Sequence, residues 1–313
     1  MSGFIEPLFE QNASNTVDFS AALASALREE DPEGTRLGRT IRETFDQIYD
    51  GQNTGRYCVS QLSKTEAAHI GSLIEINIRR AFDGFITDGE MMDFLILGVE
   101  ADCKYSKMPF GWMIPSETLG HYAMVCHAND ETSTFRIGFV KITGDILNAG
   151  GNRDGKRTIS KIGRKKISWA FFDHPLPPNT LLALADEVRE SILSKPSGQQ
   201  RLDELFRQAQ GVIIPRGIIA TVAQQKDYMK RLRYNGGSRS NLQPEGIVIL
   251  GDYTNHRQIA RELGLPIPQA GDSIAVRLRP GSGTKSTTIA GTNWVVAGHE
   301  DPIVPAPLLS IRR

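Results

Sequence analysis

Asp93, Asp102 and Lys104 are spaced to suit hydrolysis of a phosphodiester, in the stretch Asp93-Phe-Leu-Ile-Leu-Gly98-Val-Glu-Ala-Asp102-Cys-Lys104. Apolar and β-branched residues around Gly98 predict two short strands joined by a tight turn. With Leu97-Gly98 as the turn, Ile96 pairs with Val99 and Asp93 falls opposite Asp102. Opposed residues, and residues two apart in one strand, project to the same face. Asp93, Asp102 and Lys104 then converge, while the Cys103 side chain points away and its backbone carbonyl is a further candidate metal ligand. The reaction needs an activated water, neutralised equatorial oxygens and a protected leaving oxyanion. Carboxylates holding Mg²⁺ can supply all three, and Lys104 can offset negative charge beside the water. On its own, an acid-x-Lys tripeptide is better read as a surface salt bridge on an edge strand. Asp93, and Glu75 on the preceding predicted helix, shift the reading toward a site.

The framework for these groups begins with helices. Asp18 is placed to cap a helix over 19–29, and Gly34-Thr35 opens another through Tyr49, with Leu37, Ile41, Phe45 and Ile48 as its apolar stripe. Ser63-Lys-Thr-Glu66 has capping-box spacing and starts a third, running through Ile70, Leu73, Ile74 and Ile78 to about Phe82. Glu75 lies beside that stripe, where a bare carboxylate is costly unless paired or metal-bound. Strand-like runs at 121–127 and 134–142 complete helices packed on a central mixed sheet. The proline-dense Asp173-His-Pro-Leu-Pro-Pro178 reads as a linker. Beyond it, helices are predicted at 180–194 and 201–210. A turn at Pro215-Arg216-Gly217 then introduces two helices, the second basic and ending at Asn235-Gly236-Gly237. A Gly-rich hairpin follows, then strand 246–250, a helix at 256–263 and strands at 273–279, 286–290 and 294–297. Helix, turn and basic helix with a trailing hairpin is an arrangement that reads DNA.

The 313 residues suffice for two domains, and 40% hydrophobic with 23% charged residues is ordinary globular composition. No apolar run approaches the roughly 18–20 residues of a membrane span, and the amino terminus lacks the pattern of a signal peptide. Cys58, Cys103 and Cys126 are far apart without zinc-ligand spacing, so a reducing cytoplasm is expected. Net charge is zero, but its distribution is uneven: residues 1–50 carry ten acids against four arginines. Residues 153–166 carry seven basic residues against Asp154, and residues 216–239 carry six against Asp227. These two islands fit a phosphate-contacting footprint as well as they fit a solvated linker and helix face.

Rival motifs fail. Gly281-Ser-Gly-Thr-Lys285-Ser286 has Thr284 where a phosphate loop needs glycine and reads as a hairpin tip. Ile48-Tyr49-Asp50-Gly51 resembles the KxDG motif of nucleotidyl-transferring ligases, with Ile in place of the nucleophilic Lys, and reads as a helix terminator. The six histidines have no metal-ligand spacing, and Trp112, Trp169 and Trp294 read as core or rim aromatics.

The chain resembles the NaeI family of restriction endonucleases, the two-site class called type IIE. The resemblance runs through Asp50-Gly51-Gln-Asn-Thr-Gly-Arg56, Lys64-Thr-Glu66, Glu75-Ile-Asn77, Gly98-Val-Glu-Ala-Asp102-Cys-Lys104 and Asn152-Arg-Asp154. It continues through Ala220-Thr-Val-Ala-Gln-Gln225, Met229-Lys-Arg231, Pro244-Glu-Gly246, Ile249-Leu-Gly251 and Asp301-Pro-Ile-Val304. It implies an amino-terminal endonuclease domain and a carboxy-terminal helix-turn-helix domain like that of the catabolite activator protein. Both bind double-stranded DNA, the second holding an effector copy of the site. It implies a homodimer, a companion DNA methyltransferase and a GC-rich palindrome, GCCGGC. Carried over by position, the catalytic set is Glu75, Asp93, Asp102 and Lys104. The segment 87–92 is longer than the family's equivalent, leaving Asp88 as a competitor for Asp93.

The expectation is thus an α/β (α+β) protein: an endonuclease domain with a mixed sheet flanked by helices over 1–172, and a DNA-binding effector domain over 173–313. It is read as a Mg²⁺-dependent, site-specific deoxyribonuclease. Glu75, Asp93, Asp102 and the Cys103 carbonyl are expected to hold the metal. Lys230, Arg231, Arg233 and Arg239 are expected to contact phosphates. The alternatives are a transcriptional regulator with an inert nuclease-like domain, or a repair or junction endonuclease.

Overall fold

The computed structural model describes residues 18–310; the first residues, which carry the signal-peptide reading, lie outside them. Contacts divide the chain into two units. One holds the described residues through Ile48 together with Leu62–Pro178, and the other holds Tyr49–Gln61 with Asn179 onward. No helix among the described residues is long and apolar enough to cross a membrane.

The amino-terminal helices are α1 (Ser20–Glu30), α2 (Thr35–Tyr49), α3 (Gly51–Thr54) and α4 (Lys64–Ala81). Asp18 Oδ1 accepts from the Ser20 amide at 2.9 Å at the start of α1. The expected capping box opens α4: Ser63 Oγ accepts from the Glu66 amide, and the Glu66 carboxylate accepts from the Ser63 amide. Helix α2 ends where Asp50 turns left-handed, and α3 follows at once. The ligase-like tetrapeptide therefore does terminate a helix. Gly51 is there because a Cβ would sit 2.0 Å from Thr221 Oγ1.

Six strands form the first unit's sheet: β1 (Ile86–Asp88), β2 (Phe94–Ile96), β3 (Val99–Ser106), β4 (Tyr122–Asn129), β5 (Thr134–Lys141) and β6 (Ser168–Pro175), in that order. Pairing is antiparallel except between β3 and β4, so the sheet is mixed as expected. A one-turn helix, α5 (Lys161–Arg164), precedes β6. Asp173-His174-Pro175, expected within a linker, ends β6 instead, with His174 opposite Phe135. Pro175 is tolerated because β6 is an edge strand, where a missing amide donor leaves no ladder bond broken.

In the second unit, α6 (Thr180–Ala183), α7 (Asp186–Leu193) and α8 (Gly198–Gln208) precede β7 (Ile213–Ile214) and α9 (Arg216–Ala223). Then come α10 (Ser238–Asn241), β8 (Ile247–Gly251), α11 (Thr254–Glu262), β9 (Ser273–Pro280), β10 (Thr287–Ile289) and β11 (Thr292–Val296). Its sheet runs β10-β11-β9-β7, with β8 also paired to β9. Pro215 leads straight into α9, where a turn was expected through Gly217, and Gln224 closes the helix in the left-handed conformation. The basic stretch expected as a full helix is a short 3-10 turn, Tyr228–Leu232. Gly236-Gly237 then folds the chain back so closely that a Cβ on Gly237 would lie 2.6 Å from backbone atoms of Arg231 and Arg233. That fold-back consumes the residues a longer helix would need. The expected hairpin is instead α10 and a 3-10 turn, Gln243–Glu245.

Candidate active site

The hairpin β2–β3 has the predicted register: Ile96 faces Val99 and Phe94 faces Ala101. Leu97 and Gly98 both have positive φ, 51° and 80°, the requirement of the type I′ turn that matches strand twist. Asp93 directly precedes β2, and its Oδ2 accepts from the Cys103 amide at 2.8 Å. Lys104 Nζ lies 2.5 Å from Asp102 Oδ1 and 3.9 Å from Asp93 Oδ2. It is also 3.4 Å from the Cys103 carbonyl. The Cys103 thiol is buried on the opposite face beside Cys126, and its hydrogen bond with Cys126, then burial, push its pKa up and keep it protonated. Asp88, the competing acid, is turned outward to Arg79 Nε at 2.8 Å.

Asp102 is buried, with both carboxylate oxygens engaged: Oδ1 by Lys104 and Oδ2 by Thr118 Oγ1 at 2.8 Å. A buried charge persists only when it is paired and hydrogen-bonded. Burial alone would lower the pKa of Lys104, but its bond to Asp102 and the charges of Asp102 and Asp93 outweigh burial and raise it. Asp93 is pushed up to about 7, first by burial and then by its bond to the Asp102 carboxyl; the Cys103 amide opposes this only in part. Glu75, half-buried on α4, is raised by burial; Lys104 opposes this and Asp102 adds to it.

Among the described residues, no three His, Cys, Asp or Glu side chains close around one point as a metal cage. The donor set nevertheless fits a hard divalent cation. Three carboxylates share one neighbourhood with one ammonium, and the charges of Asp102 and Glu75 add to the burial that raises Asp93. A cation among them would relieve that crowding.

Two residues here escaped sequence reading. Thr118 comes from a 3-10 turn, Ser116–Thr118, and no local pattern marks it. Glu100 accepts from the amides of Glu90 and Met92, each at 2.8 Å, tying down the loop that delivers Asp93. The alternation that aligns Asp102 with Lys104 places Glu100 on their face too, so it was findable.

In the second unit, Lys230 pairs with Asp227 at 2.5 Å, the exposed Arg231 is held by Gln225 Oε1 at 2.7 Å, and Arg233 is exposed. Arg239 is turned inward, 8% exposed, donating to the carbonyls of Ile249 and Leu232. Its burial lowers its pKa. Trp112 and Trp294 are core residues, and His127 and His256 are hydrogen-bonded within the fold.

A family model described as restriction endonuclease NaeI matches residues 21–305. The type II restriction enzyme NaeI of Lentzea aerocolonigenes is 44% identical over 292 residues, an overlap that takes in 89% of this chain and 90% of that protein. With likeness of that extent spanning both units, the chain belongs to the NaeI family of restriction endonucleases.

Proposed function

We propose that this protein is a type II restriction endonuclease of the two-site class. It cuts double-stranded DNA at a specific palindrome, GCCGGC being the candidate, by Mg²⁺-dependent hydrolysis. The observation that carries the reading is the convergence of Asp93, Asp102 and Lys104 on one hairpin face, in a chain whose relative is a type II restriction enzyme. Glu75, Asp93, Asp102 and the Cys103 carbonyl would hold Mg²⁺, which supplies Lewis acidity and a water of lowered pKa. Lys104 keeps a positive charge where the phosphate gains negative charge, its ammonium stabilised by the same acids. Thr118 holds the Asp102 carboxylate in one orientation.

The second unit is read as the effector-binding domain. Its DNA-facing surface is read as helix α9 with the basic 3-10 turn after it, where Lys230, Arg231 and Arg233 contact phosphates. Arg239 braces that segment from inside through the Leu232 carbonyl. Two protomers acting on one palindrome account for cutting both strands.

The test is digestion of a large, fully sequenced, unmethylated DNA with and without Mg²⁺, with the fragment ends sequenced. A Mg²⁺-dependent ladder sharing one palindrome is expected, and Lys104→Ala should abolish it while DNA binding persists. Intact DNA, even with short effector duplexes added, would favour a DNA-binding regulator. Cuts that follow branched structure rather than sequence would favour a junction endonuclease.

A further inference from the structure

We infer that residues 153–166 form the surface on which the endonuclease unit grips the sugar-phosphate backbone of its substrate duplex; this rests on the nuclease reading above. Asp102 and Lys104 pair with Ala123 and Val125 of β4, which pair with Val140 and Gly138 of β5. Paired residues share a face. On that face Ala123, Val125 and Val140 pack with Trp112, Ile114, Ile159 and Ile167. The apolar residues Ile159 and Ile167 that anchor the basic segment therefore lie in the layer covering the catalytic face.

The backbone makes the link closer. Ile114 and Arg157 exchange both amide–carbonyl bonds, at 2.8 and 2.9 Å. From Ile114 the chain runs through the 3-10 turn Ser116–Thr118 to Thr118, whose hydroxyl holds Asp102. One wall thus runs from the catalytic carboxylate to the basic segment.

That segment is preorganised. Asn152 Oδ1 accepts from the amides of Asp154 and Lys156, fixing the turn. Ser160 caps α5, and Gly163 sits so tightly on Ile146 that a Cβ would lie 2.3 Å from its carbonyl oxygen. Lys166 pairs with Asp145, and Arg164 lies over the Phe110 ring. Arg153, Lys156, Arg157, Lys161 and Lys165 have no carboxylate partner among the described residues. Cations held on a rigid wall without counter-charges match a polyanion with regularly spaced phosphates, and rigidity spares the entropy of ordering them.

The test uses the full-length protein with Arg153, Lys156, Lys161 and Lys165 each changed to Gln, and a duplex bearing its own cut site. Cutting is followed against duplex concentration at several salt concentrations. The half-saturating duplex concentration should rise about tenfold or more at ~0.1 M salt. The log–log salt slope should fall by about 0.9 for each phosphate that is no longer neutralised. Unchanged half-saturation and slope would overturn the inference. The pairs Arg153→Gln with Lys156→Gln, and Lys161→Gln with Lys165→Gln, should each give a partial loss. If only the fourfold variant fails while both pairs match wild type, the loss is one of folding and the inference falls. A wild-type protein that cuts nothing sinks the nuclease reading instead, and the salt slope of duplex binding then decides the surface by the same criteria.

Discussion

Asp102 shows how one residue depends on partners drawn from different parts of the chain. Lys104 satisfies one oxygen from two residues along the same strand, a relation that strand alternation makes legible in the sequence. Thr118 satisfies the other from sixteen residues away, and only the folded course of the chain brings it there. Thr118→Val should leave a buried carboxylate oxygen without a donor, an effect of about 1–3 kcal/mol. Cutting should slow about tenfold to a hundredfold with DNA affinity unchanged. Thr118→Ser keeps the donor and should recover most of the rate. Equal loss in Val and Ser variants would show that the methyl packing matters and the hydroxyl does not. Arg239 illustrates the reverse limit. Its charge invited a surface role, yet its guanidinium satisfies internal carbonyls, and composition cannot distinguish those two uses of an arginine.

At the scale of elements, local signals were strongest where backbone geometry is demanding. The Leu97-Gly98 turn, the Ser63–Glu66 capping box and the strand β9 were all legible. Segments whose form depends on distant packing were not: the basic stretch after α9 shortened to a 3-10 turn because Gly236-Gly237 folds back on it, and Pro175 joined a strand because that strand is an edge. Helix α11 carries a further consequence of packing. His256 is fully buried, and its Nδ1 accepts from the Gly251 amide at 3.1 Å at the end of β8. Burial, aided by the nearby Arg239 charge, lowers its pKa from 6.5 to about 4. The unfolded chain therefore takes up this proton near 6.5 while the folded chain resists it until about 4. Its contribution to stability is complete above 6.5 and is lost as pH falls through that window. Denaturant midpoints should drop from pH 7 to pH 5, and His256→Asn, which keeps an acceptor but cannot titrate, should drop less. A parallel fall in both proteins would assign the loss to other groups.

For the whole molecule, zero net charge conceals two positive islands, one in each unit. A neutral total gives little long-range attraction to DNA, so affinity must come from local contacts that salt screens. Such a distribution suits an enzyme that must leave nonspecific DNA. A palindrome presents identical scissile bonds related by a two-fold axis, which one active site cannot reach simultaneously. The homodimer proposed above can be tested by subunit mixing. Wild-type and Lys104→Ala proteins mixed equally, with exchange complete, should yield about half mixed dimers if pairing is random. Each mixed dimer holds one competent site and should convert a single-site supercoiled plasmid to the nicked circle, with linear product from wild-type dimers alone. Effector duplex added in excess keeps two-site activation from limiting the reaction. If one protomer cuts both strands in turn, the mixture should give linear product at half the wild-type rate with no accumulation of nicked circle. The nicked fraction therefore separates a symmetric pair of sites from one site used twice.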